Sequence, residues 1–118
     1  MNHSDATKYV GAILEKLGYK ILPSPKINQS GADLTAVSIA CAYRIEVKIV
    51  MKKKNRETYF VHPVTPARKH DDFVAIVGKS KLGFWFHIDS MSDHLKCCDT
   101  TGARTITNMA KIYNGEKP

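Results

Sequence analysis

Near the N-terminus the apolar positions repeat with the period of a helix. Ala6, Val10, Ile13, Leu14 and Leu17 fall on one stripe of a helix over 4–17, with Ser4 or Asp5 placed to cap it and Gly18 to end it. Glu15 falls opposite that stripe and reads as a solvated surface residue. The pattern then shifts to short apolar or alternating runs. Residues 19–22 form a candidate strand stopped by Pro23-Ser24-Pro25, and 28–31 read as a loop. Residues 33–40 and 43–50 read as strands close enough in sequence to pair as a hairpin. A basic turn over 52–56 precedes another strand at 58–61. Thr65-Pro66 has the form of a helix start, a capping hydroxyl followed by proline at the first helical position, so a short helix to 72 is expected. Strands at 73–77 and 84–88 flank a loop at 78–83, and 108–113 is a candidate terminal helix.

The resulting order, α-β-β-β-α-β-β with an irregular or helical tail, predicts an α/β protein with a mixed central sheet and few helices. The chain has 118 residues, no internal repeat and no shift of composition, so 1–118 is expected to be a single domain. Apolar content of 43% and charged content of 25% exclude the disordered and fibrous classes. No apolar run approaches the roughly 20 residues that span a bilayer. The polar start Met-Asn-His-Ser-Asp lacks the order of a secretory signal, so no membrane association and a cytoplasmic location are expected. Three cysteines, with Cys97 and Cys98 adjacent, make no disulfide framework. Zinc held by His94, Cys97, Cys98 and Cys41 is disfavoured for want of a paired C-x-x-C; free thiols in a reducing compartment are expected.

Charge sharpens the picture. An excess of 18 Lys+Arg over 11 Asp+Glu gives +7, which points toward a polyanion, usually nucleic acid. The chemistry-bearing stretch is Ser30-Gly31-Ala32-Asp33 followed by Arg44-Ile45-Glu46-Val47-Lys48. Side chains alternate along a strand, so Arg44, Glu46 and Lys48 share one face while Tyr43, Ile45, Val47 and Ile49 enter the core. A turn centred near Cys41-Ala42 would set Asp33 opposite Ile49 or Val50, beside Lys48 and diagonal to Glu46. Two carboxylates, with the Val47 carbonyl as a further oxygen, suit Mg²⁺ or Mn²⁺. Such a cation polarises a phosphodiester, and Lys48 beside it can orient water or stabilise developing charge.

Gly31-Ala32-Asp33 and, after twelve intervening residues, Glu46-Val47-Lys48 resemble the signature of the PD-(D/E)XK nucleases, which include restriction endonucleases and Holliday junction resolvases. The resemblance extends over 4–88. It implies a restriction-endonuclease-like αβββαβ core and divalent-metal-dependent cleavage of DNA, with Asp33 and Glu46 as ligands and Lys48 catalytic. Ala32 stands where the family has proline. Relatives that carry a Glu on the first helix aim it at the metal, whereas Asp5 and Glu15 here lie off the apolar stripe, so a second metal is not expected.

Lys52, Lys53, Lys54 and Arg56 in one turn, and Arg68 and Lys69 on the short helix, are the candidate phosphate contacts; Lys79 and Lys81 lie in a loop. The helix start at Thr65 would add free N–H groups. His62 and His87 are assigned structural places, with approach to the substrate as the alternative for His62, and Trp85 is expected in the core, with a subunit interface as the alternative. With no base-reading module in view, structure-selective cutting (of branched or junction DNA) or weakly specific cutting is expected rather than a restriction site. Nucleases that cut both strands are commonly symmetric dimers, so a homodimer is considered. The competing readings are a nuclease fold that binds nucleic acid or a protein without cutting, an RNA-binding protein, and a small subunit of a larger machine, the compactness suiting a phage or mobile element.

Overall fold

A computed structural model describes residues 2–23, 33–52, 58–80 and 83–106. Lys53, Lys54, Arg56, Lys81 and the terminal helix expected at 108–113 lie outside the described residues.

Helix α1 spans His3–Lys16 and begins earlier than its pattern suggested. Asn2, not Ser4 or Asp5, is the cap: its side chain accepts the Asp5 N–H at 2.8 Å. Ala6, Val10, Gly11 and Leu14 are buried along its inner stripe, and Gly18 leaves the helix at φ 99°.

The central sheet has the order β1-β2-β3-β6-β7, formed by Lys20–Pro23, Leu34–Val37, Ala42–Ile49, Phe73–Ser80 and Gly83–Ser90. All its pairings are antiparallel except β3 with β6. A small second sheet, β4-β5-β8, is made of Met51–Lys52, Tyr59–Val61 and Arg104–Ile106. Helix α2, Met91–Lys96, is capped by the Ser90 hydroxyl on the Asp93 N–H. The α/β class with a mixed sheet and flanking helices therefore holds.

Strand alternation divides the core in two. Leu34, Ala36, Ile45, Val47, Ala75 and Val77 pack under α1. Val74, Ile76 and Trp85 face the other way, against Val61, Val64, Met91 and Ile106. Each such side chain, removed from water, contributes roughly 1.5–3 kcal/mol before entropy is charged against it. The first face thus belongs to α1, and the second to the crossover, α2 and the small sheet.

The α-helix expected over 65–72 is corrected to a single 3-10 turn, Pro66–Arg68, whose Thr65 makes no side-chain capping bond. Apart from Ala67, the stretch Thr65-Pro66-Ala67-Arg68-Lys69-His70-Asp71-Asp72 offers no apolar stripe, so nothing repays helix nucleation. The crossover from β3 to the parallel β6 is carried instead by the small sheet and this turn. Asp72 closes it, accepting the Arg44 N–H on its carboxylate and donating its own N–H to the Arg44 carbonyl, both at 2.8 Å.

Trp85 is buried, and its ring lies over Gly78, its cross-strand partner. A Cβ added at Gly78 falls onto the indole. Gly78→Ala is therefore expected to destabilise the fold by about 1–3 kcal/mol or more, the usual cost of overpacking. Thermal unfolding monitored by tryptophan fluorescence checks this; an unchanged midpoint would mean that the indole has room to move.

The polar groups toward the C-terminal end of the described residues gather around Asp89. Asp89 accepts from Arg104 at 2.8 Å and lies 2.9 Å from His87 Nε2. His94 is fully buried beside Arg104, and burial with that neighbouring charge lowers its pKa to about 4. His87 thus has the structural place expected of it. Among the described residues no helix is long and apolar enough to cross a membrane.

Candidate metal centre

The β2–β3 hairpin decides where the acids meet. Ser38 and Cys41 close its turn: the Ser38 N–H donates to the Cys41 carbonyl at 2.8 Å, and the Cys41 N–H to the Ser38 hydroxyl at 3.3 Å. Val37 faces Ala42 and Leu34 faces Ile45, so the turn centres between Ile39 and Ala40, earlier than Cys41-Ala42. Asp33, one residue ahead of Leu34, consequently falls beside Glu46 rather than opposite Ile49 or Val50. The corrected register brings the two carboxylates closer than the expected one.

Asp33 is anchored there. Its Oδ2 accepts the Val47 N–H at 2.7 Å and lies 3.3 Å from Nε2 of His3. That same imidazole nitrogen lies 3.3 Å from the Val47 carbonyl oxygen. Ligand atoms of His3, Asp33 and Glu46 all lie within 4.8 Å of one another. His3 was not among the residues singled out from the sequence. Two signals mark it: Asn2 is a good cap, and His3 stands one turn before Ala6, continuing the buried stripe to the sheet edge.

The two acids perturb one another. Burial pushes Glu46 up to about 8, helped by its hydrogen bond with Asp33 and by the Asp33 charge. Burial works to raise Asp33 as well, but bonds from Glu46 and the Val47 N–H, with His3 nearby, outweigh it and hold Asp33 below the usual carboxylate range. The pair therefore behaves as two carboxylates sharing one proton. A divalent cation can replace that proton. An octahedral ion with bonds near 2.1 Å separates its ligand atoms by roughly 3–4 Å, so this donor set needs only small inward adjustment. Two carboxylates and a carbonyl suit Mg²⁺ or Mn²⁺, and an imidazole shifts preference toward Mn²⁺.

The remaining candidate residues are placed unequally. Lys48 shares the Glu46 face of β3, and its charge is felt by Glu46, but its Nζ donates to the Pro63 carbonyl at 3.2 Å. Arg44 is on the same face and pairs with Asp71 at 3.3 Å. Arg68 is not the surface contact expected of it. It is 9% exposed, with Nε 3.9 Å from Glu46 Oε2. The expected anion-binding helix start at Thr65 is withdrawn with the helix. Lys69 and Lys52 are exposed, as a phosphate contact requires. Asp71 is 3% exposed and its pKa is raised, by burial first, against the lowering effect of Arg44 and Arg68.

No family model matches the chain, and no curated protein does. A solved structure described as that of a bacterial homing endonuclease, I-Ssp6803I, is similar to it with a TM-score of 0.67. The likeness covers 88% of this chain and 71% of that one, at 16% identity. The chain thus shares a mixed α/β fold with that structure. At that identity the likeness speaks for the backbone arrangement alone. Within this fold, the acids of the β2–β3 hairpin region and the imidazole of α1 meet where helix and sheet come together.

Proposed function

We propose that the chain is a divalent-metal-dependent endodeoxyribonuclease of the PD-(D/E)XK type that hydrolyses DNA phosphodiester bonds. The observation that carries this reading is the convergence of the Asp33 and Glu46 carboxylates with His3 Nε2 and the Val47 carbonyl. Asp33, Glu46 and Val47 would hold Mg²⁺ or Mn²⁺, with His3 as an additional donor. When bound, the cation supplies Lewis-acid polarisation of the phosphate and lowers the pKa of a coordinated water. The Val47 N–H fixes the Asp33 carboxylate, and the paired β3 fixes Glu46, so both ligands are set before substrate arrives. Lys48, on the Glu46 face, swings from Pro63 to stabilise charge developing on the phosphoryl oxygens. Lys52, Lys53, Lys54, Arg56 and Lys69 supply sequence-independent contacts to the DNA backbone.

Supercoiled plasmid and a branched duplex, each incubated with Mg²⁺, Mn²⁺ or EDTA, test the reading. Cation-dependent nicking, faster on the branched substrate, is expected. DNA binding without cleavage in either metal would support the non-catalytic nuclease-fold module instead.

A further inference from the structure

Arg68 has a chemistry that a structural ion pair does not account for. It faces Glu46, which is 7% exposed, and its charge acts on Asp71, which is 3% exposed. Yet Nε stands 3.9 Å from Glu46 Oε2, too far for a hydrogen bond. Nη1 is buried with no hydrogen-bond partner, and neither oxygen of Asp71 receives one among the described residues. A buried guanidinium normally uses its donors in a fork of bonds. Leaving one unmade carries the desolvation penalty of a buried charge, so an unmet donor beside a candidate metal centre marks a partner not yet in place.

Charge names the partner. Glu46, the acid that faces Arg68 Nε at 3.9 Å, is also one of the three groups that converge on the candidate metal centre. A divalent cation bound there adds two positive charges and engages Glu46. Arg68 then shares Glu46 with the cation, and its unmet donor is free to take an anionic oxygen. Resting on the nuclease reading above, we propose that Arg68 is a phosphate-binding residue held in reserve by Glu46: cation binding releases its guanidinium to take a non-bridging oxygen of the scissile or adjacent phosphate. Cation and DNA affinities are coupled through this exchange. The site then becomes attractive to the DNA backbone only when loaded.

Equilibrium binding of a labelled duplex, in EDTA and in Ca²⁺, measures that coupling for wild type, Arg68→Lys and Arg68→Ala. Wild type should bind more tightly in Ca²⁺. Arg68→Ala should keep its affinity in EDTA and lose at least about tenfold of the cation-dependent gain, the worth of one charge-assisted bond. Arg68→Lys should recover part of it, carrying the charge without the fork. Calorimetric titration with Mn²⁺ alone separates this from a structural role: Arg68→Ala should bind Mn²⁺ as tightly as wild type or more so, since a positive neighbour has been removed. If the alanine variant fails to fold, Arg68→Gln takes its place. Full retention of the Ca²⁺-dependent gain in the variant overturns the proposal, as does weakened Mn²⁺ binding, which would make Arg68 a support for Glu46. A wild type that neither binds Mn²⁺ nor gains DNA affinity from Ca²⁺ defeats the nuclease reading itself.

Discussion

Asp33→Ala is expected to lower metal-supported plasmid nicking by at least about a thousandfold, equivalent to roughly 4 kcal/mol of transition-state stabilisation. Asp33 is the carboxylate held low by its neighbours and fixed by the Val47 N–H, so it is ready to ligate without first losing a proton. Removing it also strips the charge that polarises His3 and the partner that shares a proton with Glu46. The fold should survive, because Asp33 precedes β2 and its loss breaks the ladder between Leu34 and Ile45 nowhere. Lys48→Ala should behave differently: about a hundredfold loss in rate with Mn²⁺ affinity unchanged, since it acts on charge developing in the reaction. Equal cleavage by wild type and Asp33→Ala would remove the mechanism.

The second large effect concerns stability. In the metal-free protein Glu46 keeps its proton up to about 8, whereas its ordinary value is 4.5. Between those values the folded state binds more protons than the unfolded one, so stability falls as pH rises. His94 acts in the opposite sense, its folded pKa of about 4 lying below its ordinary 6.5, but only below 6.5. The window from 6.5 to about 8 therefore isolates the raised acids. A one-proton difference is worth roughly 1.4 kcal/mol per pH unit, so a loss of up to about 2 kcal/mol is expected across that window. Glu46→Gln should flatten most of this slope. Mn²⁺ should restore wild-type stability at the alkaline end and do little for the Gln variant. Calorimetric melts of both proteins with EDTA or Mn²⁺ check this, and parallel pH profiles would show that Glu46 is not the buried acid described here.

Much of this was legible in the residues alone. The apolar stripe of α1 and the alternation of β3 announced themselves because each buries one face in a long, regular element. The same alternation put Glu46 and Lys48 together, and the preceding Asp33 gave the pair its meaning. The register was misjudged because the turn is set by Ser38 side-chain bonding, which no hydrophobic pattern records. His3 was missed because the cap is Asn2, which draws the histidine into the helix. Strands as short as Met51–Lys52 and Arg104–Ile106 carry too few residues to show a period, so the small sheet was invisible. The helix expected after Thr65-Pro66 followed its start signal without an apolar stripe to sustain it. Arg68 was taken for a surface base because charge alone does not reveal burial.

A crystal of the protein soaked in Mn²⁺, with data collected at the manganese absorption edge, tests the central claim most directly. An anomalous peak within bonding distance of Asp33, Glu46 and the Val47 carbonyl, with His3 beside it, is the predicted result. A fully soaked crystal with no peak there, or with manganese bound only elsewhere on the chain, would contradict the assignment of this edge of the sheet as a metal centre.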